Sequence, residues 1–292
     1  MKPQLIDLDY EFTEPFLIKE LAVPYFVNNH HFHNDYELVY VVESTGTRFI
    51  GDHIGGFKNG DMVFMGPDLP HAWFNDRAYY QQQSGLIARS IVTYFKQTWL
   101  YDTVMKLPQS DQLALLVENA TRGIRFRGAI VKRVANLLAD AKKAQGLKRS
   151  ANVLHVLHEL AEASDYELLA GVTYVNQHHF KDTKRMNTVY EFVIKHFSGP
   201  IKLEVIAEVA NMSPNAFSRY FKSQTQKTFS NFVNEVRVGH ACKLLQTTDL
   251  TIAQVSYECG FNSMTNFIKF FRRVTHKSPL QYRKEKLVHG TL

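Results

Sequence analysis

Cysteine is nearly absent: Cys242 and Cys259 are the two in 292 residues, and neither belongs to a paired-cysteine motif. That excludes a disulfide framework and fits a chain that stays in a reducing cytoplasm. Long apolar runs are missing too. The first residues mix charge into the sequence at Lys2, Asp7, Asp9 and Glu11, and no stretch has signal-peptide or membrane-spanning length. Nor does the first part carry a charge of one sign: residues 1–184 hold 19 Lys+Arg against 21 Asp+Glu. From residue 185 onward there are 15 Lys+Arg and 7 Asp+Glu, so the formal +6 of the whole chain lives in its C-terminal third. A clustered basic segment is the electrostatic footprint of a phosphate-binding domain, or of a merely solvated face. The length predicts two domains, and 45% apolar residues supply ordinary cores.

What is present, and twice, is a helix, a tight turn and a second helix. Residues 203–222 form one copy and residues 252–272 the other, with Phe217, Phe221 and Lys222 recurring as Phe267, Phe271 and Arg272. Ser213 before Pro214, and Asn262 or Ser263, stand where a helix needs an N-cap. Gly260 and Asn211 stand where the turns need a residue tolerant of positive φ. Between the copies, residues 229–246 read as one helix with Phe232, Val236, Ala241, Leu244 and Leu245 on a single stripe. At 1.5 Å per residue it would be roughly 27 Å long, a spacer able to hold two recognition helices about one DNA turn apart.

These residues, with Ile206, Ala207, Arg237, Ala241, Ile252, Phe261 and the run Ser278, Pro279, Tyr282, Arg283, resemble the signature of the AraC/XylS transcription regulators over about residues 185–285. The chain departs from that pattern at Asn211, Gln226 and His276, where glycine is usual, and at Phe229, where proline is common. The resemblance implies that the exposed face of each second helix meets DNA: Asn215, Ser218, Arg219 and Lys222 in the first copy, and Met264, Thr265, Ile268, Lys269 and Arg272 in the second. Arg219 can bond guanine O6 and N7, and Asn215 can bond adenine. Met264 and Ile268 offer apolar contact to a thymine methyl, and Lys269 a phosphate contact, so the first copy is expected to discriminate bases more strongly. The alternative for Arg219 is a phosphate clamp.

The N-terminal part has a different grammar. Short apolar runs between residues 36 and 65, separated by glycine-containing turns, predict strands of a small sandwich or barrel. His31 and His33 alternate onto one strand face, and an antiparallel return could bring Glu37 and His71 to them. The set resembles the two cupin motifs, in which three histidines and a glutamate converge on a metal, although Ser44 stands where the first motif often has glycine. Three readings stand side by side. The four residues hold a divalent metal (Zn, Fe, Mn or Ni), or with Trp73 they line a polar effector pocket, sugar among the options, or they simply pack.

Amphipathic segments at residues 111–121, 129–143 and 150–163 predict helices that cover a barrel face and, by the family resemblance, mediate a homodimer; core packing is the alternative. The polar residues 171–187, with the pair His178 and His179, read as a linker. The expected class is therefore α+β: an N-terminal cupin-like β-barrel (1–98) with a helical layer (99–170), the linker (171–187), and an all-α domain (188–292) of two helix-turn-helix subdomains joined by a long helix. The expected function is that of a regulator, not an enzyme. It would bind double-stranded DNA under control of a small-molecule effector and, by the resemblance, activate through RNA polymerase. The rival reading is a cupin metalloenzyme, an oxygenase or isomerase, fused to a DNA-binding module. A third is a barrel that serves only as a protein-contact platform.

Overall fold

The computed structural model describes residues 4–5, 14–26, 30–81, 85–108, 111–172, 174, 183–225 and 227–289, and all structural statements refer to these. The chain divides into two compact units, one built from residues 3–53 and 57–180 and the other from residues 181–292, with which residues 54–56 are grouped. Among the described residues no helix is long and apolar enough to cross a membrane.

The first unit runs β1 (Gln4–Leu5), β2 (Phe16–Val23), β3 (His31–Phe32), β4 (Tyr36–Glu43), β5 (Gly46–Ile50), β6 (His53–Phe57), β7 (Met62–Met65), β8 (His71–Asn75) and β9 (Ala88–Phe95). There follow α1 (Gln97–Asp102), α2 (Asp111–Ala120), β10 (Ile124–Phe126), α3 (Ala129–Lys143), α4 (Gly146–Ala161) and β11 (Tyr166–Leu168). The strands form two sheets, ordered β1-β3-β8-β5-β6 and β11-β10-β7-β4-β9-β2. Side-chain alternation decides how they are buried. On β4 and β7, Leu38, Met62 and Phe64 join one core with Leu116, Val134, Leu138 and Leu157 of the helices. Their neighbours Val39, Val41, Val63 and Met65 join a second core with Ile50, Leu69 and Trp73. The central strands are thus apolar on both faces, and each fully buried side chain of this kind contributes about 1.5–3 kcal/mol.

The expected closed barrel is therefore corrected to two open sheets in a layered arrangement. The physical reason lies in the helices: they cover the outer face of the six-stranded sheet, so that face is buried without the sheet having to close on itself. That sheet also recruits β10 and β11 from the helical segment, with Ile124 opposite both Phe64 and Leu168. Gly46 marks a close strand approach, since a Cβ there would collide with the Phe74 carbonyl oxygen. A buried ion pair, Arg48 Nη1 to Asp61 Oδ2 at 2.9 Å, ties β5 to the residue preceding β7.

The second unit is helical: α5 (Thr183–His196), α6 (Leu203–Val209), α7 (Pro214–Thr225), α8 (Phe229–Thr247), α9 (Ile252–Glu258), α10 (Met264–Thr275) and α11 (Pro279–His289). The expected linker falls largely on residues 173 and 175–182, including His178 and His179, which lie outside the described set, and α5 already begins at Thr183. Helix α8 is capped by Thr228, whose side chain accepts from the Asn231 N–H. Its buried residues do not form the single stripe expected. Phe229, Phe232, Val233 and Val236 occupy one face, and after Val236 the buried positions shift to Val238, Ala241 and Leu245. The advance of two residues from Val236 to Val238 is about 200° around the helix. The N-terminal half of α8 thus packs on Phe221, and the C-terminal half packs with Val255, Phe267 and Phe271.

Candidate functional site

In the second unit, both helix pairs are built by the same local devices. The Ser213 hydroxyl accepts from the Ala216 N–H at 3.4 Å ahead of α7, and the Ser263 hydroxyl accepts from the Asn266 N–H at 3.4 Å ahead of α10. Of the two residues considered for the second cap, Ser263 takes the role. The turns rely on left-handed backbone: φ is +51° at Asn211 and +80° at Gly260. Asn211 tolerates that region through its short polar side chain. At Gly260 a Cβ would lie 2.7 Å from the carbonyl oxygens of both Phe197 and Ser198, so only glycine fits. His276 also adopts positive φ, +57°, closing α10 as a C-cap, which makes it a working replacement for glycine. Gln226 lies outside the described residues.

The two turns differ by one residue. Met212 N–H bonds the Ala207 carbonyl and Phe261 N–H bonds the Ser256 carbonyl, an offset of 49, whereas α7 and α10 begin 50 apart. The cores are aromatic: Phe217 and Phe221 pack on Phe229, and Phe267 and Phe271 follow the same pattern beside Phe261 and Tyr282. Burying that face of each second helix turns the other outward. On α7, Asn215, Ser218, Arg219 and Lys222 are all exposed. On α10, Thr265, Lys269 and Arg272 are exposed, while Met264 and Ile268 are half-buried and pack against the subdomain core. Ser223, Asn266 and Arg273 share the exposed surfaces. They were absent from the sequence-based set, and helical spacing from Arg219 and Lys269 identifies them.

The two halves are held together by Arg237 on α8. Its Nε donates to the Phe197 carbonyl at 2.8 Å and its Nη2 to the Gly199 carbonyl at 2.8 Å, while the guanidinium lies 5.7 Å from the centroid of Phe261. One side chain thus joins the α5–α6 connection to α8 and to the second turn.

The first unit holds the other candidate site, between its two sheets. His31 on β3 is in register opposite His71 on β8, and Glu37 on β4 shares the inward face of Val39 and Val41. His31, His33, Glu37 and His71 are all buried, and each offers a ligand atom within 4.8 Å of the others. Their hydrogen bonds fix the proton positions. His33 Nδ1 donates to the Asp35 carbonyl at 2.9 Å and His71 Nδ1 to the Leu69 carbonyl at 2.7 Å, because a carbonyl can only accept. The Nε2 atoms then face inward: 2.8 Å and 2.9 Å from Glu37 Oε2, with His71 Nε2 also 3.1 Å from His31 Nε2.

On neutral rings those Nε2 atoms present lone pairs to a carboxylate oxygen, which is repulsive. Protonated imidazoles or a cation at the centre removes the repulsion. Burial alone pushes the Glu37 carboxyl upward, but the charge of His71 and the hydrogen bonds from His33 and His71 outweigh it and hold the group well below the usual carboxylate range. Imidazole nitrogen with its opposite N–H anchored on a carbonyl is how metal-binding histidines are oriented. Two imidazole nitrogens oriented in this way, with His31 and one carboxylate beside them, suit a divalent transition metal. Trp73 stands edge-on to His71 with ring centroids 5.8 Å apart, and its buried indole N–H lacks a hydrogen-bond partner.

Residues 206–285 match a family model described as a helix-turn-helix domain. Over 100 residues the chain is 34% identical to the uncharacterised HTH-type transcriptional regulator YdeC of Bacillus subtilis (strain 168), covering 34% of each protein. An uncharacterised HTH-type transcriptional regulator of Staphylococcus aureus (strain MSSA476) is 25% identical over 166 residues, covering 51% of this chain and 22% of that relative. The chain thus spans about a fifth of the staphylococcal relative's length. Among solved structures, the DNA-binding domain of AdpA, a global transcriptional factor crystallised with a target DNA, is 31% identical, with 35% of this chain and 91% of that one covered and a TM-score of 0.33. With a matching helix-turn-helix model, relatives named as HTH-type transcriptional regulators and two copies of the motif capped and packed alike, residues 206–285 form a helix-turn-helix domain similar to those of these regulators.

Proposed function

We propose that the protein is a sequence-specific DNA-binding transcription regulator, not an enzyme, acting in the cytoplasm as a homodimer. The observation that carries this reading is the pair of basic, outward-facing helices α7 and α10, each displayed by the same aromatic packing and held apart by α8, about 28 Å long at 1.5 Å per residue. Arg219 and Asn215 serve base readout in the first groove. Thr265, Lys269 and Arg272 serve the second, mostly through phosphates, and the half-buried Met264 and Ile268 add at most an apolar edge. Activation and contact with RNA polymerase rest on the family resemblance. Dimerisation is supported by apolar side chains left outward on the helical layer, with Leu115 48% and Leu147 89% exposed.

The first unit is the sensing part. His31, His33, Glu37 and His71 would hold a divalent metal such as Zn, Fe, Mn or Ni, which supplies the positive charge their lone pairs face and a Lewis-acidic point for an effector. The chain's own residues supply the rest: Asp35 and Leu69 carbonyls orient the rings, and the Trp73 N–H offers a donor to a polar effector. A change in occupancy shifts the DNA-binding unit only through differential affinity for its two states.

Fluorescence anisotropy of the full chain on a selected duplex and on an unrelated one tests the DNA reading. Arg219→Ala is expected to cost about 1–3 kcal/mol on the selected duplex and much less on the unrelated one. Equal weakening on both would make Arg219 a phosphate clamp and remove the assignment of readout to the first copy.

A further inference from the structure

A second concave site lies in the first unit, away from the histidines. Where β10 and residues 58–61 meet the beginning of α3, the surface forms a cleft of about 440 Å³. That volume is within the range of small-molecule sites. Four cations line it, Lys58, Arg125, Arg127 and Lys132, and Phe126 and Val131 give it an apolar wall. They come from three separate elements, so their convergence is a product of the fold and not of a local run of charge.

Asp61, the one carboxylate among the lining residues, is already engaged. Its Oδ2 accepts from the buried Arg48 at 2.9 Å and its Oδ1 from Arg125 Nε at 2.9 Å. Arg127 pairs with Glu167, and Arg125 Nη1 lies 3.8 Å from the same carboxylate. The ammonium groups of Lys58 and Lys132 have no ion-pair partner among the described residues. Exposed Asp165, beside Gly128 at the start of α3, completes the local charges. Arg48, Lys58, Arg125, Arg127 and Lys132 stand against Asp61, Glu167 and Asp165, a net of +2 on and directly behind the lining. With both guanidiniums already paired to carboxylates, the two exposed ammoniums leave the cleft a positive surplus that an anion would neutralise.

We propose that this cleft binds a small dianionic metabolite, a phosphomonoester or a dicarboxylate with a compact apolar body, as an effector site separate from the histidine cluster. The two sites lie toward opposite ends of β7: Glu37 is in register with Met65, while Asp61 precedes Met62, roughly 13 Å away along the strand. One central strand therefore runs past both.

Isothermal titration of the full chain with phenyl phosphate, phthalate and phenol, at low ionic strength, tests the site. At least one dianion is expected to bind one per chain with Kd below about 1 mM, and phenol not to bind. The stronger of the two dianions identifies the phosphate or the carboxylate source. The double variant Lys58→Gln/Lys132→Gln, checked to unfold at the parent temperature, is expected to weaken binding about tenfold. No binding of either dianion, or equal affinity in the double variant, overturns the proposal. The titration reads neither DNA nor metal, so its failure leaves the regulator reading untouched and the converse holds equally.

Discussion

At the scale of single residues, proton positions and solvent access set the chemistry. Because the Nδ1 atoms of His33 and His71 are committed to carbonyls, their Nε2 atoms are left either to hold a cation or, when protonated, to donate to Glu37. Protein purified without chelator or affinity-tag nickel is expected to carry about one metal per chain by elemental analysis, and His33→Ala to carry none. A metal-free parent with an intact fold would assign the four residues to a protonated hydrogen-bond cluster. The cysteines illustrate the opposite case, a reactive group made inert. Burial pushes both the Cys242 and Cys259 thiols up to about 12. At pH 8 the thiolate fraction is then on the order of one in ten thousand, so iodoacetamide should modify the native protein at least about a hundredfold more slowly than the unfolded chain. Comparable rates would contradict the packing described for α8 and α9.

At the scale of elements, the sequence was most legible where punctuation is chemical. Ser213 with Pro214, Ser263 and Gly260 each announce a helix boundary through a hydroxyl, a missing N–H or a missing Cβ, and each sits where those features are required. The face switch within α8 was hidden, because a 3.6-residue period describes one partner surface and α8 has two. Met264 and Ile268 were equally hard to place from spacing alone, since the position after a cap can face either the core or the groove. Arg237 was visible as part of a family signature, but its work is positional: it satisfies two carbonyls where α5 ends. Arg237→Ala should lower the unfolding free energy of the chain by about 2–3 kcal/mol in a denaturant titration. A loss below about 0.5 kcal/mol would show that the junction is held by aromatic packing alone.

At the scale of the whole molecule, charge and architecture are divided between the two units. The helical unit holds the positive surplus, and the sheet unit buries one ion pair, Arg48 with Asp61, and the cluster of His31, His33, Glu37 and His71. Strand alternation made it readable that His31 and His33 point the same way, while the arrival of Glu37 and His71 beside them was what the resemblance to the cupin motifs implied. Closure of the sheet was not readable. Strand patterning specifies which faces are apolar, and either a curled sheet or a covering layer of helices satisfies it. The cleft beside α3 was also invisible in the sequence, because Lys58, Arg125 and Lys132 become neighbours only through β10, which joins the sheet from within the helical segment. The central claim is that two like helices read one duplex together. A hydroxyl-radical footprint of the full chain on a selected site tests it most directly. The account predicts, for each bound protomer, two protected patches centred about 10–10.5 base pairs apart, the patch under α7 weakened by Arg219→Ala and the patch under α10 by Lys269→Ala. A single patch, or two patches that fade together under either substitution, would contradict it.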